Sequence, residues 1–463
     1  MSPPARRARR RQRRRPALAT ALAAWSAAAG VAILAQAEPA PLAAAERGEA
    51  PAAAVRPEAV HAIYAIGDFG WARPELAQVG AAIRARLAGT PSPALVLELG
   101  DNVYESGLPA DPTAAAARLG EILDTLDARA PAELGGAPLP LVAVPGNHDH
   151  DAGMNQTWET DPNAFGAIEN QMLPAFERPE WHYAPAHLAA PGSAECPVAV
   201  TLDREAVRRV RSAAEPASAG IGPWACLTRP QRIALSPPGL ALIAVDSQVL
   251  IGLHHHREEA AAELQWGALE SELGAARAAG DVPVVVAHHP LESYGRHRPL
   301  QVGRFFFGTG FPNYTRALDY VTAVPGIAQI TVLGWYATGS IQEQDVNGRG
   351  YDAYRRRMTE VLVRNEVALF MAGHDHSLSF MDLGASTDLA PLVGGRERLF
   401  QLVSGATANL DPLSDGAALL YRRSARGYAR LTFAKASAGS PARIAIEIQP
   451  LSGAPFERSI AAR

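Results

Sequence analysis

Short apolar runs alternate with longer amphipathic stretches through most of this chain. His61–Ile66, Ala94–Leu99, Leu139–Val144, Leu240–Val245, Val282–Ala287 and Val367–Ala372 have strand length and read as buried strands. Between them, Pro74–Leu87 places Leu76, Val79, Ile83 and Leu87 at helical spacing. Thr113–Ala128 does the same with Leu119, Ile122, Leu123 and Leu126, and Glu258–Ala278 is predicted as a third helix. Leu399–Val403, Tyr428–Phe433 and Arg443–Ile448 are predicted as further strands with no helix between them. Strands alternating with helices predict an α/β fold. Two segments break the rhythm. Residues 191–230 are rich in small residues and carry Cys196 and Cys226, as in a surface excursion. Residues 299–350 are rich in glycine and aromatics, the pattern of a lid or binding loop.

The first 58 residues follow other rules. Eight arginines between Arg6 and Arg15 precede an Ala- and Leu-rich run, Ala17–Leu34, and the small-residue pattern Ala35-Gln36-Ala37. Basic, apolar and small-residue regions in that order predict a signal peptide over residues 1–37, with an uncleaved N-terminal membrane anchor as the alternative. Either predicts an exported protein, periplasmic or extracellular. Residues 38–58, Ala, Pro and charge without apolar periodicity, read as a linker, and residues 59–463 as one catalytic domain with the two excursions. Without the eight arginines the formal net charge falls from −4 to −12, so the body has no electrostatic footprint for nucleic acid. Two cysteines cannot build a thiolate zinc site. In an oxidising compartment Cys196 and Cys226 would close a loop of about thirty residues, for roughly 3–4 kcal/mol.

The chemistry gathers at strand ends. Gly67-Asp68-Phe69-Gly70 follows the first predicted strand, and Gly100-Asp101-Asn102-Val103-Tyr104 the second. Gly146-Asn147-His148-Asp149 follows the third, His288-His289-Pro290 the one at Val282–Ala287, and Gly373-His374-Asp375-His376 the one at Val367–Ala372. Ligands of open α/β sheets bind at the carboxyl ends of the strands. A Gly-Asp turn alone is only a turn, but five such clusters bring more ionisable groups to one edge than a protein buries without a compensating cation. The donors are oxygen and nitrogen with no thiolate, which suits Fe, Mn or Zn. His150 reads as structural and His254-His255-His256 as a solvated loop.

Taken in order, GDFG, GDNVY, GNHD, VVAH and GHDH are similar to the five-block signature of the calcineurin-like metallophosphoesterases. Tyr104 and the GDFG opening narrow the resemblance to the purple acid phosphatases, and to the small, tartrate-resistant type. It extends through LELGDNVYESG, VPGNHDHD, AGHDHSLSF and LVSGATANLD, over most of the chain from Tyr64 to Phe433. The resemblance implies an α/β sandwich of two mixed β-sheets flanked by helices. It implies that Asp68, Tyr104 and His376 bind Fe(III), that Asn147, His288 and His374 bind a divalent Fe, Zn or Mn ion, and that Asp101 bridges them. His289 is not chosen, because the family pattern places the ligand one residue earlier. Two such ions hold phosphate between them and lower the pKa of a bound water, so that hydroxide attacks phosphorus. His148 and His297 are the candidates for protonating the leaving group. The expected activity is hydrolysis of phosphate monoesters. A phosphodiesterase or nucleotide hydrolase on the same scaffold is the alternative, and a non-catalytic surface binding protein the remote one.

Overall fold

The computed structural model describes residues 62–89, 92–104, 107–109, 111–150, 171, 178, 180–185, 228–235, 239–257, 259–295, 297, 346, 348–407, 409–436 and 441–462. The leader, the linker, both cysteines and nearly all of the two excursions lie outside them.

The first half builds β1 (Ala62–Ile66), α1 (Pro74–Gly89), β2 (Ala94–Glu98), α2 (Pro112–Leu126), β3 (Leu141–Ala143) and β4 (Trp181–Tyr183). These four strands run parallel, with Ile66 opposite Glu98, Glu98 opposite Ala143, and Ala143 opposite Tyr183. β5 (Gln231–Ala234), β6 (Leu240–Ala244), α3 (Ser247–His256), α4 (Glu259–Ala278) and β7 (Val282–Val286) follow. After the second excursion come α5 (Arg349–Arg364), β8 (Leu369–Ala372), β9 (Leu378–Asp382), α6 (Ala390–Val393) and β10 (Phe400–Ser404). The chain ends in β11 (Leu419–Arg423), β12 (Gly427–Ala434), β13 (Arg443–Pro450) and β14 (Phe456–Ala461). One sheet has the order β14-β13-β12-β1-β2-β3-β4 and the other β11-β9-β10-β8-β7-β6-β5. Both are mixed, so the α/β sandwich of two mixed sheets flanked by helices is the observed architecture.

Side-chain alternation explains the layers. Ile63 and Ala65 face the second sheet, with Leu95, Leu97, Leu242, Val284, Val286, Met371 and Leu402. Tyr64 and Ile66 face the other way, onto Leu76, Val79 and Ile83 of α1 and Leu119 and Ile122 of α2. A strand covered on both faces has no polar side, hence the continuous apolar runs. The outer face of the second sheet is covered by α3, α4 and α5 through Val249, Trp266, Leu269, Tyr354 and Met358. α1 can lie against α2 only because residue 80 is glycine, where a Cβ would meet the Leu126 carbonyl oxygen at 1.7 Å.

Helix ends follow local chemistry. Asp111 caps α2 by accepting from Ala114 N, with Pro112 in the first turn. Asp246, at the end of the predicted strand, caps α3 by accepting from Val249 N. That cap draws His254–His256 into a helix instead of the expected solvated loop, and His254 Nε2 accepts from Trp266 Nε1–H at 3.1 Å. His150 is buried and its Nε2 lies 3.0 Å from Asp246 Oδ2, in keeping with a structural role.

Candidate metal centre

The carboxyl ends of β1, β2 and β3 in one sheet and of β7 and β8 in the other converge on a single edge. The ligand loops are tied to each other through their backbones: Asp68 N donates to Gly100 O (2.9 Å), and Gly373 N donates to His288 O (3.0 Å). Asp68, Asp101 and His374 adopt positive φ, at 55°, 56° and 66°. A left-handed conformation costs a non-glycine residue of order 1–2 kcal/mol, which the contacts around these three must offset.

All seven expected ligands come together here. Asn147 Oδ1 lies 3.0 Å from His288 Nε2 and 3.2 Å from His374 Nδ1, and those two nitrogens are 3.2 Å apart. His288 Nδ1 is 2.8 Å from the Leu99 carbonyl oxygen, which can only accept, so Nδ1 carries a proton and Nε2 is the nitrogen turned to the other donors. Asp101 Oδ1 is 3.4 Å from the same Nε2. On the other side, the Tyr104 hydroxyl is 2.8 Å from Asp101 Oδ2, 3.1 Å from Asp68 Oδ1 and 3.3 Å from His376 Nε2. Asp101 thus turns one oxygen to each group of donors.

Whether a metal fits is decided by proton counting. Around His288 Nε2 stand an amide oxygen, a carboxylate oxygen and a second imidazole nitrogen, an assembly of acceptors short of donors. Around Tyr104 two carboxylates and an imidazole converge on one buried phenolic hydroxyl. Such groups repel unless a cation lies among them, and their oxygen and nitrogen chemistry suits borderline and hard ions. The residues fit two metal positions that share Asp101.

The electrostatics agree. Burial, then the charges of Asp101 and Asp68, push the Tyr104 phenol well above its ordinary range. Burial opposes charge on Asp101 as well, but His288 and His148 overcome it and hold the carboxyl at about 2. Burial would lower His376, yet the carboxylates of Asp411 and Asp68, 3.6 and 3.5 Å from its two ring nitrogens, lift it to about 10. Without a metal the centre therefore retains protons on Tyr104 and His376 that a cation would displace.

His148 and His297 flank the centre from different sides. The His148 ring packs edge-on against Tyr104 at 4.6 Å, and its backbone N–H donates to Asp101 Oδ1 at 3.0 Å. The His297 ring stacks on His374 at 4.1 Å. Several supporting residues are not evident from sequence. Asp149 accepts from Gly146 N (2.7 Å), Asn102 N (3.0 Å), Val103 N (3.1 Å) and Gln171 Nε2 (3.0 Å), so it clamps the loops after β2 and β3. Its place in GNHD was the available signal. Asp411 N donates to the His376 carbonyl oxygen at 3.0 Å and its Oδ2 stands 3.6 Å from His376 Nδ1; it closes the LVSGATANLD stretch, with no spacing that singles it out. His289, which the family pattern passes over, is buried among the ligands, with a ring nitrogen within 4.8 Å of those of His288 and His374. Strand alternation does not turn it away, because β7 ends at Val286.

The loop from His288 to His297 is pinned by β10. Gln401 accepts from Leu291 N (2.6 Å) and Glu292 N (3.2 Å) and donates to Glu292 O (2.7 Å). The Glu292 side chain accepts from Ser386 and is pushed by burial from 4.5 to about 7. Between those two values the folded chain keeps a proton that the unfolded chain has lost. Stability contributed by this group therefore falls as pH rises through that window and levels off above it. Glu292→Gln should match the wild type at pH 4 and exceed it at pH 8 by up to about 3 kcal/mol, read from melting curves at both pH values.

No known protein-family profile and no curated protein matches this chain. Among solved structures, it is similar to GAP50, the anchor in the inner membrane complex of Plasmodium, at 14% identity over 87% of this chain and 89% of that one (TM-score 0.48). It is also similar to a dimetal phosphatase from Danio rerio, at 10% identity over 87% and 99% (TM-score 0.39). PhoD shares 10% identity over 88% and 73% (TM-score 0.43). At these scores the likenesses carry no functional weight, which falls on the residues of the centre.

Proposed function

We propose that this chain is an exported two-metal phosphatase that hydrolyses phosphate monoesters in the manner of the purple acid phosphatases. The observation that supports it best is the division of Asp101, whose oxygens face two separate sets of donors. Asp68, Tyr104 and His376 would hold one ion, and Asn147, His288 and His374 the other. Bound there, the two ions would supply Lewis-acid charge and an activated water for in-line attack on phosphorus. The chain's own part is to orient the ligands through Leu99 O, Asp411 and Asp149, and to give a proton to the departing oxygen. Elemental analysis of the mature protein, with phosphate release from mono- and diester nitrophenyl substrates, tests the reading. Two metals per chain with monoester turnover support it. Faster diester turnover would assign a phosphodiesterase on the same scaffold, and an inert protein retaining two metals would leave a binding protein. N-terminal sequencing of exported material tests the leader, with cleavage after Ala37 as the expected result.

His297, beside His374, is the favoured proton donor to the leaving group. His297→Ala should lower turnover of alkyl phosphates about 100-fold and of nitrophenyl phosphate less than about 10-fold, since nitrophenolate departs without a proton. Equal losses on both substrates would remove His297 from that role and turn attention to His148.

Tyr104 sets the colour. A phenolate on ferric iron absorbs visible light by charge transfer, so the iron-loaded protein should be pink to violet. Tyr104→Phe should bleach it with little change in melting temperature. A colourless wild type with full iron occupancy and full activity would restrict the reading to a metallophosphoesterase without the purple character.

A further inference from the structure

The loop that ends in His297 is fastened to its surroundings almost residue by residue. Beyond Leu291 and Glu292, which Gln401 holds, Ser293 Oγ donates to Asp375 Oδ1 at 3.0 Å, and both side chains are fully buried. The carbonyl oxygen of Tyr294 accepts from Ser414 N at 2.9 Å and from Ser414 Oγ at 3.0 Å. Gly295 lies directly against the same carboxylate: an added Cβ would stand 2.8 Å from Asp375 Cγ and 2.9 Å from its Oδ1. His297 follows, its carbonyl oxygen accepting from Val346 N at 3.3 Å and its ring stacked on His374 at 4.1 Å.

Asp375 stands in the chain between the expected ligands His374 and His376. Its carboxylate is not among the donors described above and meets the His297 loop instead. Burial raises this carboxyl to about 6, and the charge of His297 is the strongest attraction opposing that rise. A buried acid is costly, so a side chain that only filled this space would be better apolar. A group that hands a proton to a departing oxygen must stay within hydrogen-bond reach of it, and a displacement of about 1 Å can cost about 100-fold. One hydroxyl and one glycine thus tie the loop of such a group to the segment that carries two ligands.

We propose that Ser293, Gly295 and Asp375 form a latch that positions His297 beside His374 for proton transfer to the leaving group. The inference rests on His297 as the proton donor, the reading given above. All three are positioning residues that act through His297. Glycine is required at 295 because a side chain there drives the loop off the carboxylate or the carboxylate off Ser293. Either movement opens the latch.

Gly295→Ala in the full chain should lower turnover of alkyl phosphates about 30- to 100-fold and of nitrophenyl phosphate less than about threefold, with metal content unchanged. In a chain that already carries His297→Ala, the same change should add less than about twofold on alkyl phosphates, because no donor is left to misplace. A third readout needs neither metal nor activity. The rate at which diethyl pyrocarbonate labels His297 in the metal-free chain, followed by peptide mass, should change at least about threefold in Gly295→Ala as the loop loosens. Equal losses on both substrates, loss of metal, or losses that multiply with those of His297→Ala overturn the proposal, and so does unaltered labelling. If Gly295→Ala does not fold, Ser293→Ala removes only the hydroxyl. Altered labelling with a loss of about 3- to 10-fold confined to alkyl phosphates then supports the latch, and no change in either overturns it. Equal losses on both substrates in His297→Ala itself instead overturn the donor reading, while altered labelling in Gly295→Ala still supports the latch.

Discussion

Replacing Asp101 by alanine should strip both metals and reduce phosphatase activity on the order of ten-thousand-fold, about 5.5 kcal/mol of barrier. Among the described residues no other side chain serves both halves of the centre. Its Oδ2 faces Tyr104 and its Oδ1 faces His288, and Oδ1 also accepts the His148 N–H. Alanine would remove the shared anion, so each proposed ion would lose a ligand and the negative charge that screens it from the other. The fold should survive, because the sheets do not depend on this side chain and its removal relieves a buried carboxylate. Elemental analysis and kinetics on the same sample decide the matter. Two metals per chain with near-normal turnover would falsify the bridging role.

The second large effect is expected at a residue that binds nothing. Gly146 passes so close to the β2 loop that an added Cβ would lie 2.2 Å from both the backbone nitrogen and Oδ1 of Asp101. Backbone at that range cannot swing aside as a flexible side chain can, so Gly146→Ala must displace the bridging loop or its own. The shift also strains the hydrogen bond from Gly146 N to Asp149, and with it the clamp on Asn102 and Val103. Activity should fall about 100- to 1000-fold, with metal content reduced and stability lowered by roughly 2–4 kcal/mol. Gly89→Ala is the control: among the described residues, nothing beyond its own helix and chain neighbours lies within 4 Å of an added Cβ, and the change should be neutral or slightly stabilising. Full activity in Gly146→Ala would mean that the two loops are less tightly coupled than this contact implies.

These two positions differ in how visible they were beforehand. Asp101 and its partners were legible because their residue types are unusual after apolar runs, and because glycine precedes Asp68, Asp101, Asn147 and His374 directly in the chain. The central strands were legible for a related reason: a strand buried on both faces must be apolar throughout. Peripheral strands escaped. β4 and β5 have three and four residues, too few for a period, and β14 alternates over only six. α5 was missed where its basic run follows the glycine-rich excursion, although Tyr351, Tyr354, Met358, Val361 and Leu362 form its buried stripe. His254–His256 have the pattern of a loop because the cap at Asp246, set by a side chain three residues before Val249, leaves no apolar signature.

What the sequence determined by itself was the α/β alternation, the residue types at five strand ends and the excess of acceptors there, all properties of short stretches of chain. What only the tertiary structure decided was the pairing of distant groups: Asp411 with His376, Ser247 with His289, Leu99 O with His288, and one oxygen of Asp101 with each half of the centre. The reason is physical. Such contacts join residues up to 189 positions apart, and they form because parallel strands in two sheets carry their carboxyl ends to one edge. That register comes from inter-strand pairing, such as Ile63 with Leu431, and from packing between the sheets, which no local pattern encodes.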